Sequence, residues 1–215
     1  MATDRSRASR TFARAARCDR PGARRQLRVN LWRLVPWRAG AIPAESGGAL
    51  WFPRELQGAG RHDNPDRYGC LYVSESPVSA VAEALAPFRG TGVLLTAMFS
   101  RAGLRLALAR LHLDDDRALL DLDDPHVLAK TQLRPSQVAT GTRTITQAYA
   151  ARLFDEHPSV IGLRWWSTLE AGLLNVTLYD RAAARLHLGE VDLFTLEHPA
   201  VREAAELLGL TLKPE

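Results

Sequence analysis

Apolar positions along this chain fall into short runs whose spacing switches repeatedly between strand and helix periods. Leu27 to Val35 mixes β-branched, aromatic and polar residues and predicts a first strand, with ordered structure beginning near Gln26. Cys70-Leu71-Tyr72-Val73 predicts a second, short one. A helix with clear start signals follows: Ser76 can cap it, and Pro77 takes the first helical position, where a missing N–H costs nothing. Val78, Val81, Ala82 and Leu85 form its apolar stripe, and Pro87 ends it. Residues 92–99 predict a buried strand, and the alternating Leu104, Leu106 and Leu108 predict another.

The second half continues in the same way. Asp114 to Asp116 read as a turn, Leu119 to Leu122 as a short strand and Pro125 to Lys130 as helical. A longer helix is expected from Thr144 to Glu156, where Thr144 and Gln147 resemble a capping box. Val160 to Trp166 and Asn175 to Tyr179 predict two strands joined by a loop around Gly172, and Pro199 to Leu208 a terminal helix stopped by Gly209. Between the first two strands, residues 36–68 are rich in Gly, Pro and polar groups; irregular segments of that length are often functional. Short strands among few helices indicate a mixed α/β (α+β) sheet domain.

Charge changes this picture at one end only. The first 28 residues carry nine arginines against Asp4 and Asp19, a sum of +7, while the remainder holds 19 basic and 22 acidic residues, a sum of −3. Residues 1–26 therefore read as a basic, disordered tail and 27–215 as one folded domain. Three readings of the tail compete: a mitochondrial-type presequence, a nucleic-acid-binding arm, or an extension without a role. Basic residues alone supply weak, non-specific phosphate affinity. No apolar run approaches the ~18 residues of a membrane span, and the start lacks the apolar core of a secretory signal. Cys18 and Cys70 make neither a disulfide framework nor a zinc spacing, so a cytoplasmic location is expected.

Several kinds of chemistry lack their motifs. The chain has no Walker loop, no Gly-x-Gly-x-x-Gly, no His-Glu-x-x-His and no Gly-x-Ser-x-Gly. The six histidines are scattered, none at i, i+4 from another, and no metal is expected.

Three other blocks stand out. The first is Leu31-Trp32-Arg33-Leu34. The second runs from Gly60-Arg61-His62-Asp63-Asn64-Pro65 through Gly69-Cys70-Leu71-Tyr72-Val73-Ser74-Glu75-Ser76-Pro77 to Ala80-Val81-Ala82-Glu83. The third is Gly162-Leu163-Arg164-Trp165-Trp166-Ser167, followed by Asn175-Val176-Thr177-Leu178-Tyr179-Asp180. In this order, over roughly residues 27–182, they resemble the RES domain, whose members include toxins of bacterial toxin–antitoxin pairs with Xre-type antitoxins.

That resemblance implies an ADP-ribosyltransferase-like fold, with a small, mostly antiparallel sheet and flanking helices, and an enzyme that consumes NAD⁺. It places the family's two arginines on Arg33 and Arg61, its tyrosine on Tyr72, its glutamate on Glu83 and its serine on Ser167. Glu83, Arg61 and Ser167 are thereby the catalytic candidates, and all five residues are candidates for binding NAD⁺. His62, Asn64 and Trp166 are neighbouring candidates, with Asp63 and Arg164 as further polar groups nearby. The chain departs from the family where His62 follows the second arginine in place of an aromatic, and in a longer linker between the arginines. Both bear on the pocket mouth.

The chemistry of these residue types suits that substrate. Guanidinium forks bind diphosphate oxygens through charge-assisted, bidentate hydrogen bonds. A tyrosine ring offers a flat face to nicotinamide. Cleavage of the nicotinamide–ribose bond builds positive charge on the ribose, which a nearby carboxylate stabilises only as it develops.

Taken singly, each residue has an ordinary reading: Glu83 as a solvated helical glutamate, Tyr72 as core, Arg61 as an exposed loop residue, Arg33 as a surface strand residue, Ser167 as a strand-end hydroxyl. Their joint order carries the assignment. The expected reaction is NAD⁺ degradation with phosphate or water as acceptor. The alternatives are ADP-ribose transfer to a protein and, from another class, nucleic-acid binding through the tail. Removal of residues 1–26 is expected to leave NAD⁺ turnover unchanged and to abolish nucleic-acid binding in a mobility-shift assay. Binding that survives the truncation would revive a binding-module reading seated in the folded domain and not in the tail.

Overall fold

The computed structural model describes residues 28–213. The basic stretch 1–26, the start of order near Gln26 and Cys18 lie outside the described residues.

Two long strands form the axis of the fold. β1 (Arg28–Pro36) pairs antiparallel over its whole length with β5 (Leu104–Asp114). On its other side β1 meets β2 (Cys70–Ser74), which continues through β8 (Leu174–Tyr179) and β7 (Gly162–Trp166) to β6 (Leu119–Asp121). Beyond β5 lie β4 (Ser100–Arg101) and β9 (Leu186–Leu193). Within this sheet only β6 and β7 run parallel. A separate two-stranded parallel sheet joins β3 (Val93–Leu95) to β10 (Thr211–Lys213). The class is therefore the expected mixed α/β fold with a mostly antiparallel sheet.

Strand alternation sorts side chains into three cores. Leu31, Val35, Leu71, Val73, Leu111, Val176 and Leu178 share one face, covered by Trp37, Ala49, Leu50 and Phe52 of the long loop. On the opposite face, α1 (Pro77–Leu85) and α5 (Pro199–Leu208) pack over Leu106 and Leu108 of β5. Beside them α2 (Pro125–Lys130), α3 (Pro135–Val138) and α4 (Arg143–Glu156) cover Leu163, Trp165 and Tyr179. Ser76 caps α1 through the Ser79 N–H, with Pro77 at its first turn as its sequence signals require.

The structure departs from the sequence pattern in several places, and β4 and α3 have no counterpart in it. Residues 92–99 are not one buried strand: Val93–Leu95 pair with β10, then Thr96–Phe99 wind into a 3₁₀ turn, with Leu94 and Phe99 buried. Their apolar character serves those two insertions into the α1–α5 cluster. Thr144 and Gln147 form no capping box; the N-cap is Thr142, and Gln147 Nε2 donates to the carbonyls of Gly58 (3.0 Å) and Gly60 (2.9 Å). A tertiary tie has taken the side chain that local pattern assigned to the helix end. β9 and β10 were not anticipated. In β9 the apolar alternation of Leu186 and Leu188 shifts register before Val191 and Leu193, at a bulge opposite Ala109 to Leu111, which disguises the period.

His62 fastens the long loop to both layers. Its fully buried ring lies 2.8 Å from Thr177 Oγ1 on β8 through Nδ1 and 2.8 Å from Tyr149 Oη on α4 through Nε2. Trp165 Nε1 also donates to Thr177 Oγ1 (3.0 Å). Burial, with the charges of Arg61 and Arg143, holds the imidazole pKa well below its ordinary value, so the ring is neutral. No helix of the described residues is long and apolar enough to cross a membrane.

The folded state thus excludes a proton that the unfolded chain takes up near pH 6.5, and stability falls as pH drops through that value. Urea unfolding is expected to show up to about 2 kcal/mol lost between roughly pH 7 and pH 5 from this group. His62→Phe should flatten that slope; an equally steep slope in the variant would assign the loss elsewhere.

Candidate active site

A gap in the sheet makes the site. β1 and β2 are in register at Trp32 and Ser74 alone and then diverge. That pairing begins a cross-strand row, Trp32–Ser74–Asn175–Trp165, over β1, β2, β8 and β7. All four side chains line a cavity of about 410 Å³, together with Leu34 and Tyr72 from the opened edges. This volume lies in the ~300–1,000 Å³ range of small-molecule sites.

One wall is a second face of α1. Ala80, Glu83, Ala84 and Pro87, spaced i, i+3, i+4 and i+7, line the cavity, while Val81, Ala82 and Leu85 turn into the core. Glu83 is half-buried, and the small Ala80 and Ala84 leave its carboxylate room. Asn175 Nδ2 donates to Glu83 Oε1 at 2.7 Å.

Two inner arginines are anchored alike. Arg33 Nη1 donates to the carbonyls of Ala49 (2.7 Å) and Trp51 (3.0 Å) in the long loop. Arg61 Nη1 donates to Val138 O (2.8 Å) and Thr140 O (2.9 Å), and its guanidinium carbon sits 4.8 Å above the Trp165 ring. In each case Nη1 serves the backbone, Arg61 also neighbours the Tyr149 hydroxyl, and both side chains line the cavity. Burial lowers the Arg33 pKa to about 10 and depresses that of Arg61, yet both stay cationic at neutral pH. Arg101 and Arg143 add exposed charges to the lining, so four arginines face one carboxylate.

Tyr72 is fixed through its hydroxyl, which donates to Asp63 Oδ1 (2.6 Å) and accepts from the His62 N–H (2.8 Å). Burial first, then the neighbouring Cys70 and Asp63, push its pKa far upward, so it stays neutral. Asp63 Oδ2 meanwhile accepts the N–H groups of Gly58 (2.8 Å) and Gly60 (2.7 Å), shaping the loop that presents Arg61.

Four of the five residues picked from the sequence therefore come together: Arg33, Arg61, Tyr72 and Glu83. Ser167 does not line the cavity. It is buried just after β7, where its Oγ accepts the Leu169 N–H (3.0 Å) and its N–H donates to Leu173 O (2.8 Å); the next residue, Thr168, faces the cavity.

His62, Asn64 and Trp166 also stay off the lining. His62 is the neutral core ring described above; it packs against Tyr72 and edge-on to Trp165, filling the aromatic place where the chain departs from its family. Asn64 Nδ2 bonds to His62 O, Tyr68 Oη and Gln147 O. Of the two tryptophans Trp165 walls the cavity and Trp166 does not, since adjacent strand residues face opposite ways. Arg164 is engaged elsewhere, with Glu75 (2.6 Å) and Asp121 (2.6 Å).

Sequence reasoning missed Asn175, Trp32, Arg101 and Arg143 as lining residues. For Asn175 a signal existed, a lone amide among apolar neighbours in a strand. For the two rim arginines none did. Among the described residues, no group of three or more His, Cys, Asp or Glu side chains is placed to hold a metal ion.

The family model of the RES domain matches residues 31–199, most of the chain and all of the cavity lining. This chain belongs to the RES domain family. Its fold is similar to a chain in the crystal structure of the M. tuberculosis MbcT–MbcA toxin–antitoxin complex, with a TM-score of 0.55 and 16% identity over 85% of this chain and 90% of that chain. No curated protein matches it closely enough to be counted a relative.

Gly60 carries a steric requirement of the site. A Cβ there would lie 2.5 Å from Tyr72 Oη and overlap the Asp63 carboxylate. Gly60→Ala is therefore expected to cost about 1–3 kcal/mol in urea unfolding. A loss under about 0.5 kcal/mol would contradict this close approach.

Proposed function

We propose that this protein cleaves the nicotinamide–ribose bond of NAD⁺ and passes the ADP-ribosyl group to phosphate or water. The observation that carries this reading is the convergence of Glu83, Tyr72 and two backbone-anchored arginines on one cavity. Membership in the RES family and the fold likeness to a chain of a toxin–antitoxin complex support the same direction.

In this mechanism Arg33 and Arg61 take the diphosphate through their guanidinium groups. Tyr72 presents its ring to the nicotinamide, while its hydroxyl stays with Asp63. As the C1′–N1 bond breaks, its electron pair goes to the nicotinamide nitrogen, which leaves neutral, and the ribose becomes an oxocarbenium ion. Glu83 stabilises that charge as it forms. An oxygen of phosphate or water then bonds to C1′; a water loses its proton. Ser167, buried behind Thr168, shapes the loop bounding the cavity and takes no direct part.

In the cell the protein acts as the toxin of a toxin–antitoxin pair. Unchecked NAD⁺ consumption endangers its host, so a protein antitoxin, of Xre type in this family, would cover the cavity, in the cytoplasm where NAD⁺ is found.

Purified protein incubated with NAD⁺ is expected to release nicotinamide, with ADP-ribose 1″-phosphate when phosphate is present and ADP-ribose when it is not, read by mass spectrometry. Glu83→Ala should lose about 10²- to 10³-fold in rate. An unchanged NAD⁺ pool, or a variant as active as the parent, would sink the proposal. ADP-ribose found on a protein would identify a transferase instead.

A further inference from the structure

We infer that Asn175 is a positioning residue for Glu83, aiming the carboxylate with a neutral donor that is itself locked from behind. The inference rests on the reading above, in which Glu83 acts on the ribose of NAD⁺.

Asn175 sits on β8, 2% exposed, at the centre of the cavity floor. Its Oδ1 accepts from two hydroxyls, Ser74 Oγ at the end of β2 (2.6 Å) and Ser79 Oγ in the first turn of α1 (2.9 Å). Both lone pairs of that oxygen are thereby used. The amide then has one remaining direction for Nδ2, toward Glu83 Oε1 at 2.7 Å. A flipped amide would set an oxygen against the carboxylate. Glu83 lies one turn beyond Ser79 on α1, so a single side chain fixes both the start of the helix and the carboxylate it carries.

The choice of an amide has a chemical consequence. An arginine or lysine here would pair with Glu83 and quench the negative charge that a developing oxocarbenium ion requires. A neutral N–H donor favours the ionised form while leaving the charge in place. Glu83 Oε2 has no protein partner among the described residues and remains for the substrate. The other charged or titratable groups on the cavity are Arg33 from β1, Arg61 from the long loop, Tyr72 from β2, Arg101 from β4 and Arg143 from α4. None of them is hydrogen-bonded to this carboxylate.

The isosteric variant Asn175→Asp tests this. The two serines can still donate to the new side chain, so the β2–β8–α1 junction keeps its bonds. The face toward Glu83 changes from donor to a second carboxylate, and the two must share a proton. Measured on the full chain, kcat for NAD⁺ at pH 7 is expected to fall about 10- to 100-fold, with KM changed less than about threefold. The acid limb of the kcat–pH profile should move upward by at least about one pH unit. A ¹³C NMR titration of the Glu83 Cδ should show the same upward displacement without relying on turnover.

A merely structural Asn175 predicts lower stability with an unmoved acid limb and an unmoved titration, and that result overturns the inference. Ser79→Ala serves if Asn175→Asp does not fold. It loosens the amide without adding charge and should lower kcat severalfold; parental kcat would overturn the inference. A parent that leaves NAD⁺ intact removes the functional reading, and the NMR titration then decides the positioning claim alone.

Discussion

The separation of β1 from β2 is the constraint on which the rest of this structure depends. Strands in a continuous sheet lie about 4.8 Å apart and leave no room for a ligand. Here β1 keeps its full ladder with β5, and β2 keeps its ladder with β8, so each half of the sheet is stable on its own outer side. Between them one aligned position, Trp32 with Ser74, holds the halves together. Beyond it the sheet opens, and the long loop is tied in beside the opening by two side chains. Arg33 binds the loop carbonyls of Ala49 and Trp51, and Arg61 reaches those of Val138 and Thr140. The residues that tie down the long loop thus also line the cavity.

The long loop follows from the same constraint. Ordering a 36–68 segment with one short 3₁₀ turn costs conformational entropy, and it is tied at several points. Asp63 takes the Gly58 and Gly60 N–H groups, Gln147 takes their carbonyls, and the buried His62 ring reaches α4 and β8. Each tie uses a polar group that is itself satisfied in the process, as burial demands. The loop is a rigid bracket carrying Arg61. His62 belongs to the bracket by its packing and its neutrality, which explains how an imidazole can stand where the family commonly has an aromatic ring.

Most of the fold was legible where local signals and tertiary demands coincide. Pro77–Leu85, Pro125–Lys130 and Pro199–Leu208 form helices within a residue or so of their start and stop signals, because Pro restricts φ, a Ser or Asp cap satisfies the first turn and Gly209 tolerates the left-handed stop, each acting locally. The misreadings occur where a side chain is claimed from a distance: Gln147 by the loop, Leu94 and Phe99 by the α1–α5 cluster, β9 by a bulge that breaks its period. The site divides in the same way. Arg61, Tyr72 and Glu83 sit in one contiguous block of sequence and could be read together. Arg33 and Asn175 join them only through strand register. Ser167 illustrates the limit of a linear motif: one position of register separates the buried serine from Thr168, which faces the cavity.

The electrostatics of the cavity explain why such anchoring matters for function. A guanidinium free in solvent must shed water and lose rotamer freedom when it meets an anion, and both costs come out of binding energy. Burial strips water from part of the Arg33 guanidinium, lowering its pKa to about 10, and Arg61 is buried against Trp165. Their cationic forms persist at neutral pH because backbone carbonyls compensate part of the lost hydration. An incoming anionic group would therefore meet two arginines already fixed by backbone carbonyls. The one carboxylate on the wall is held by a neutral amide, so it adds a focus of negative charge in an otherwise positive field. In the proposed reaction, the substrate would match that field by laying its phosphates on the arginines while positive charge develops beside Glu83. Neither a simple polyanion nor a simple cation would fulfil both conditions, so under the proposed reaction selectivity would follow from requiring the two at once.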